Sequence, residues 1–216
     1  MAASMNRLRA DVLKTARAMN RTGLNQGTSG NVSVRCDKAL LITPSGLAYD
    51  ICQPDDIVML RMNGNVEKGR KPSSEWQLHR DIYRSFPDAS AILHAHPPWC
   101  TTLACLDREI PAFHYMIAVA GGDSIRCAEY ALFGTEQLAR NVNQALKGRS
   151  ACLMSHHGMI CFADNLEKVL ELAIEVENLA KVYCRILHLG KPSLLSREQM
   201  NEVLDRFKEY RQPDVC

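Results

Sequence analysis

No apolar run in these 216 residues approaches the roughly 18 needed to cross a membrane. The stretch Met1 to Asn20 has neither the apolar core nor the small-residue cleavage site of a signal peptide; Arg7, Arg9, Asp11, Lys14 and Arg17 run through it. There is no Lys/Arg cluster, and 26 basic against 24 acidic residues leave a formal charge of +2. A nucleic-acid or membrane-surface partner therefore has no support. The nine cysteines (36, 52, 100, 105, 127, 152, 161, 184 and 216) contain no C-x-x-C pair, and several lie in apolar runs such as Ala151-Cys152-Leu153. An odd count without paired spacing disfavours a disulfide frame or a cysteine zinc site. Buried free thiols in a reducing compartment, the cytoplasm, are expected. Internal repeats, low-complexity tracts and linkers are absent, as are the P-loop and dinucleotide fingerprints.

What is present is the composition of an ordinary globular protein, 46% hydrophobic and 23% charged, at a length that fits one domain over 1–216. Leu8, Val12, Leu13, Ala16 and Met19 fall at helical spacing, and Gly23 ends that helix. Short strands are expected over Val32–Arg35, Leu40–Thr43 and Ile57–Met62, with Asn63-Gly64 turning a hairpin into Val66 and Glu67. Ser73 to Phe86 reads as a helix capped by Ser73 or Ser74. Ala91 to His96 reads as a buried strand stopped by Pro97-Pro98, with a helix following through Leu106. A helix over Gly134–Lys147, a strand over Ala151–His157 and helices over Asn165–Leu189 and Arg197–Tyr210 complete the chain. The mixture of alternating and hairpin signals points to an α/β domain whose sheet is mixed or mainly antiparallel and covered by helices.

His94 and His96 lie two apart in a strand, so their imidazoles share a face, near the end of a sheet. His156-His157-Gly158 closes a second expected strand, and Glu75 stands in the first turn of a helix. Neutral imidazoles with one carboxylate suit zinc with an open position for substrate; manganese or cobalt fits less well. Spacing alone does not choose between His156 and His157. His79 and His188 lie on helices, where packing or solvent is the ordinary use. Three segments rich in small donors, Gly27-Thr28-Ser29-Gly30-Asn31, Thr43-Pro44-Ser45-Gly46 and Ser73-Ser74, could cradle an anion, a phosphate monoester rather than a nucleotide. Each alone is also an ordinary loop, turn or cap. Tyr115 can donate a proton, although a packed aromatic is the commoner role.

Taken together, these segments resemble the class II aldolase family, in its L-fuculose-1-phosphate aldolase branch. The resemblance runs nearly end to end, through Gly23-Leu24-Asn25-Gln26-Gly27-Thr28, Gly30 to Arg35, Leu41-Ile42-Thr43-Pro44, Pro72-Ser73-Ser74-Glu75-Trp76, His94-Ala95-His96, Ile110-Pro111, His114-Tyr115-Met116-Ile117 and His156-His157-Gly158. It implies a nine-stranded, mostly antiparallel sheet flanked by helices and a homotetramer with active sites at subunit interfaces. It also implies zinc on His94, His96 and His157, with Glu75 as fourth ligand and catalytic residue. Tyr115, from a neighbouring subunit, would serve the aldehyde oxygen. Phosphate would fall to Asn31, Ser45, Gly46, Ser73 and Ser74, with Thr28 and Gly30 nearby. Phe133 and Tyr210 would line the aldehyde end, capped by the tail from Arg211 to Cys216.

The implied reaction is reversible cleavage of a sugar phosphate, a ketose 1-phosphate, to dihydroxyacetone phosphate and an aldehyde, with the metal as Lewis acid for the enediolate. An aldolase for 5-deoxyribulose 1-phosphate or 5-methylthioribulose 1-phosphate is the alternative, and a methylthioribulose-1-phosphate dehydratase is more distant. Pentulose-5-phosphate 4-epimerases of the family carry Asp where this chain has Glu75. The adducin head shares the fold as an interaction module but lacks the metal ligands, which are all present here.

Overall fold

A computed structural model describes residues 2–67 and 69–210, with the side chains of 2, 3, 209 and 210 outside the description. Among the described residues there are six α-helices: α1 (Ala2–Arg21), α2 (Trp76–Ser85), α3 (Pro98–Ala104), α4 (Glu136–Ala145), α5 (Leu166–Leu189) and α6 (Arg197–Tyr210). The strands are β1 (Asn31–Cys36), β2 (Ala39–Ile42), β3 (Val58–Arg61), β4 (Ala91–Ala95), β5 (Cys127–Ala128), β6 (Ala151–Met154) and β7 (Gly158–Ala163). They form one sheet in the order β3-β2-β1-β4-β7-β6-β5. Every pairing is antiparallel except β5 with β6.

Period-2 alternation along the strands sorts the core into two layers. Val32, Val34, Leu41, Ala91, Leu93, Ala95, Leu153, Met159 and Cys161 pack on one face with α1, α3 and α5. Leu40, Ile42, Val58, Leu60, Ile92, Cys152, Met154, Ile160 and Phe162 pack on the other with α2 and α4. This is the single α/β domain with a mixed, largely antiparallel sheet and helices on both faces that the sequence predicts.

The sheet has seven strands among the described residues, not nine. The remaining extended segments pair only at single residues: Leu60 with Val66, Ile110 with Ile125, and Pro44 with Pro72. Proline has no N–H to continue a ladder at the last of these. The Asn63-Gly64 turn does form, with Gly64 at φ +94 and the Arg61 N–H donating to Asn65 O at 2.9 Å.

Two local expectations are corrected. The cap position of α2 falls to Glu75 rather than to Ser73 or Ser74; its side chain makes no capping hydrogen bond and its carboxylate turns toward the histidines, while Ser73 Oγ accepts from the Glu75 N–H at 3.3 Å just ahead of the helix. The strand expected over Ala151–His157 stops at Met154, and His156 and His157 lie in the turn to β7, with His156 left-handed at φ +53. The eight described cysteines are free thiols, four of them buried; Cys216 lies outside the described residues. Among the described residues no helix is long and apolar enough to cross a membrane.

Candidate metal centre

β4 lies in the middle of the sheet and ends at Ala95 because Pro97 and Pro98 follow. On it His94 shares a face with Ile92, pairs across the ladder with Asn31 of β1, and is fully buried. His96 follows on the same side, just past the strand. β7 is the other neighbour of β4, and the turn entering it brings His157 to the same end of the sheet. Glu75 descends from the start of α2.

The three imidazoles form a nearly equilateral triangle. Ring centroids are 4.7 Å apart for His94 and His96, 4.8 Å for His94 and His157, and 4.9 Å for His96 and His157. One ring nitrogen from each comes within 4.8 Å of the others. Glu75 closes the group, with Oε2 3.0 Å from His94 Nε2 and Oε1 3.2 Å from His157 Nε2.

The donor set fits a cation. His94 Nδ1 donates to the Met159 carbonyl at 2.8 Å, so in the neutral ring Nε2 carries a lone pair. That lone pair meets Glu75 Oε2 at 3.0 Å and His96 Nε2 at 2.9 Å. Several acceptors thus converge where a positive charge is required, while Glu75 Oε1 is buried without a hydrogen-bond donor. A carbonyl fixing the far nitrogen of a ligand histidine is the usual outer support of such a site. The titration tendencies agree. Burial opposes ionisation of Glu75, but the neighbouring His94 and His157 outweigh it, and its carboxyl lies well below the usual range. Burial, with the charges of His94 and His157, pushes His96 down to about 3. His94 goes the other way: burial lowers it, and the neighbouring Glu75 more than reverses that.

Two glycines allow the close packing. A Cβ on Gly158 would lie 2.5 Å from the Ala95 carbonyl oxygen, and one on Gly30 would lie 2.8 Å from the His94 carbonyl oxygen. The turn carrying His157 is held by Ser155, whose hydroxyl donates to the Asp107 carboxylate. His156 is exposed and faces Asp107 at 3.9 Å rather than the triangle.

A pocket opens above the triangle, lined by Ser29, Ser74, Glu75, His96, His157 and the segment Tyr130 to Phe133, with His156 at its edge. Phe133, expected at the aldehyde end, is on its wall. The small-donor segments are neighbours: the Ser45 N–H donates to Lys71 O at 2.9 Å and the Ser73 N–H to Thr43 O at 3.1 Å. Thr28, Ser45, Gly46 and Ser74 are exposed, whereas Gly30 and Ser73 are buried. Asn31 is also buried, and it gives one amide N–H to Glu75 Oε2 at 3.0 Å. Tyr115 does not reach the pocket of its own chain; half exposed, it lines a separate groove with Met116, Val203 and Phe207. The Tyr210 side chain and the tail beyond it lie outside the described residues. Sequence reasoning named Ser29 within a small-donor loop but missed Tyr130 and Leu132 on the pocket wall, and it missed His79. That histidine stands four residues after Glu75, the spacing that puts two side chains on one helix face.

Comparison with known proteins follows the same lines. A profile of the family described as Class II Aldolase and Adducin N-terminal domain matches residues 10–184. The chain is 50% identical over 206 residues to an L-fuculose phosphate aldolase of Escherichia coli K12, covering 95% of this chain and 96% of that protein. It is 49% identical over 203 residues to a 5-methylthioribulose-1-phosphate/5-deoxyribulose-1-phosphate aldolase of Rhodospirillum rubrum, covering 94% and 92%. A solved L-fuculose 1-phosphate aldolase superposes with a TM-score of 0.90 at 42% identity, covering 93% of this chain and 96% of that one.

Proposed function

This chain belongs to the Class II Aldolase and Adducin N-terminal domain family and is an enzyme, an aldehyde-lyase of the class II aldolases; from that premise we propose that it reversibly cleaves a ketose 1-phosphate of the L-fuculose 1-phosphate type. The products are dihydroxyacetone phosphate and an aldehyde such as L-lactaldehyde. The observation that carries this reading is the convergence of three imidazoles and an undonated carboxylate oxygen at the floor of one pocket.

His94, His96 and His157 would hold zinc, with Glu75 completing the set at rest. When bound, zinc supplies Lewis-acid stabilisation of the negative charge that builds on the ketone half as the C3–C4 bond breaks. In the synthesis direction the Glu75 carboxylate takes a proton from C3 of dihydroxyacetone phosphate, the electron pair left at C3 forms the bond to the aldehyde carbon, and Tyr115 of a neighbouring subunit gives its phenolic proton to the aldehyde oxygen, which becomes the C4 hydroxyl. Exchange with solvent passes the proton held by Glu75 back to Tyr115, and cleavage is the reverse of these steps. Glu75 Oε1 suits the transfer at C3 because no hydrogen-bond donor occupies it. Exposed Thr28, Ser45, Gly46 and Ser74, with Gly30, Ser73 and the second amide N–H of Asn31, would bind phosphate. Phe133 and Tyr210 would exclude water from the aldehyde.

A homotetramer with sites at subunit interfaces is supported by Tyr115 standing apart from its own pocket and by the exposed Tyr130, Leu132 and Phe133. Cytoplasmic residence is supported by the free thiols. A second reading, cleavage of 5-deoxyribulose or 5-methylthioribulose 1-phosphate, is favoured by the Rhodospirillum rubrum relative. It shares every step and differs only at the aldehyde wall.

The test is dihydroxyacetone phosphate release by zinc-loaded protein from the three esters side by side, with a chelated control. Preference for L-fuculose 1-phosphate supports the first reading, and preference for a 5-deoxypentulose ester the second. A methyl or methylthio group shifts binding by only about 1–3 kcal/mol, so overlap is expected. Release from none, or release insensitive to chelator, overturns both.

A further inference from the structure

Behind Glu75 a single file of buried polar side chains runs between β1 and α2. Asn31 Nδ2 donates to Glu75 Oε2 at 3.0 Å. His79 Nε2 lies 2.6 Å from Asn31 Oδ1, and His79 Nδ1 lies 2.7 Å from Ser33 Oγ. Ser33 Oγ in turn lies 2.8 Å from the Tyr83 hydroxyl. All five side chains are buried, His79 and Ser33 completely. The spacing makes the file: Asn31 and Ser33 are i and i+2 on one face of a strand, and Glu75, His79 and Tyr83 are i, i+4 and i+8 on one face of a helix.

The chemistry of the groups gives the file a direction. An ionised carboxylate only accepts, so the Asn31 amide presents nitrogen to Glu75 and oxygen to His79. His79 must then donate from Nε2, and burial, pushing this histidine down to about 3, keeps it neutral. A neutral ring that donates at Nε2 accepts at Nδ1, so the Ser33 hydroxyl donates there and accepts from Tyr83. Reversing any link would put two acceptors or two donors together in a buried place.

We propose that His79 is a positioning residue for proton transfer: by donating to Asn31 Oδ1 it sets the way the amide faces, which keeps an N–H on Glu75 Oε2 and leaves Oε1 as the working oxygen. This rests on the reading of Glu75 as the group that moves the proton. Ser33 and Tyr83 act one step further back, by choosing the tautomer of His79.

Two measurements test it. Ring ¹⁵N spectra of the intact, histidine-labelled protein should show His79 as the neutral Nε2–H tautomer from about pH 6 to 8; an Nδ1–H tautomer reverses the file and overturns the proposal. In zinc-loaded protein, His79→Leu should lower kcat at least about tenfold while KM stays within about threefold and zinc content is unchanged. His79→Gln, which keeps an N–H for Asn31, should recover most of that loss. A Leu variant with kcat per bound zinc within tenfold of wild type, or a Gln variant no better than Leu, overturns the proposal. If wild type releases dihydroxyacetone phosphate from no ketose 1-phosphate, the reading of the reaction fails, and the ring spectra still decide the direction of the file.

Discussion

Gly158 stands against the imidazole of His96, so closely that a Cβ at 158 would lie 2.8 Å from His96 Cδ2. The glycine is therefore part of how a proposed zinc ligand is held. Gly158→Ala would press on the Ala95 carbonyl as well, so it should loosen this end of the β4–β7 pair and displace His96, weakening zinc binding by about tenfold to 100-fold, the usual scale for losing a ligand's support. Competition against a graded series of chelators measures this. Wild-type affinity in the variant would remove the glycine from the site.

Glu75→Gln keeps the volume and an oxygen donor but not the basicity. Zinc content should hold while turnover falls by about 100-fold to 10,000-fold, the range for a positioned acid–base group. Steady-state cleavage with metal analysis on the same sample checks both halves. Near-wild-type cleavage would end its assignment as the proton carrier.

His157 and His156 are adjacent in sequence but face apart, one toward the triangle and one toward Asp107. His96→Ala and His157→Ala should each lose bound zinc after dialysis, and His156→Ala should retain it. Zinc retained by His157→Ala and lost by His156→Ala would reverse the choice between them.

His79 also makes acid stability predictable. Its ring is pushed down to about 3 by burial, with help from the charge of His94, against an ordinary 6.5. Between those values the unfolded chain binds a proton that the folded one refuses, so stability is complete above about 6.5 and falls as pH drops toward 3. By about pH 5 this single group accounts for about 2 kcal/mol, at 1.36 kcal/mol per unit. Urea unfolding of zinc-free protein from about pH 7 to 4.5 should show that slope with the share of His96 added to it, since His96 is also pushed down to about 3, and His79→Gln should remove the His79 share. An unaltered slope in the variant would mean that His79 is not refused its proton.

Glu177, from the middle of α5, places its two carboxylate oxygens 3.0 Å from the Trp99 N–H and 2.9 Å from the Cys100 N–H at the start of α3. Removing it leaves two helix-start donors without partners. Glu177→Ala should cost about 1–3 kcal/mol in chemical denaturation. A smaller loss would mean that water replaces the carboxylate freely.

What could be read before the structure depended on how strongly local chemistry constrained each element. α5 is legible because Asn165 accepts from the Lys168 N–H at one end and Gly190 closes the other. β7 was not anticipated. It is buried on both faces in the middle of the sheet, so Met159 to Phe162 is a continuous apolar run with no alternation to count. β5 is two residues long and leaves no pattern. In the site, His94 and His96 announce themselves by spacing, and His157 became distinct from His156 only through family resemblance. The file behind Glu75 was hidden because its members sit on two elements far apart in sequence. Each of its spacings is visible alone, but nothing in the order of residues says that the two faces meet.

The two central strands β4 and β7 carry their ligands at the same end, where Ala95 pairs with Met159. An ion held there would be a rivet between neighbouring strands, since His94 lies on one, His96 just past its end, and His157 leads into the other. Opening of that end of the ladder would then be linked to loss of the ion, and its backbone amides should take up deuterium more slowly with zinc than without it, a readout of metal binding that needs no substrate.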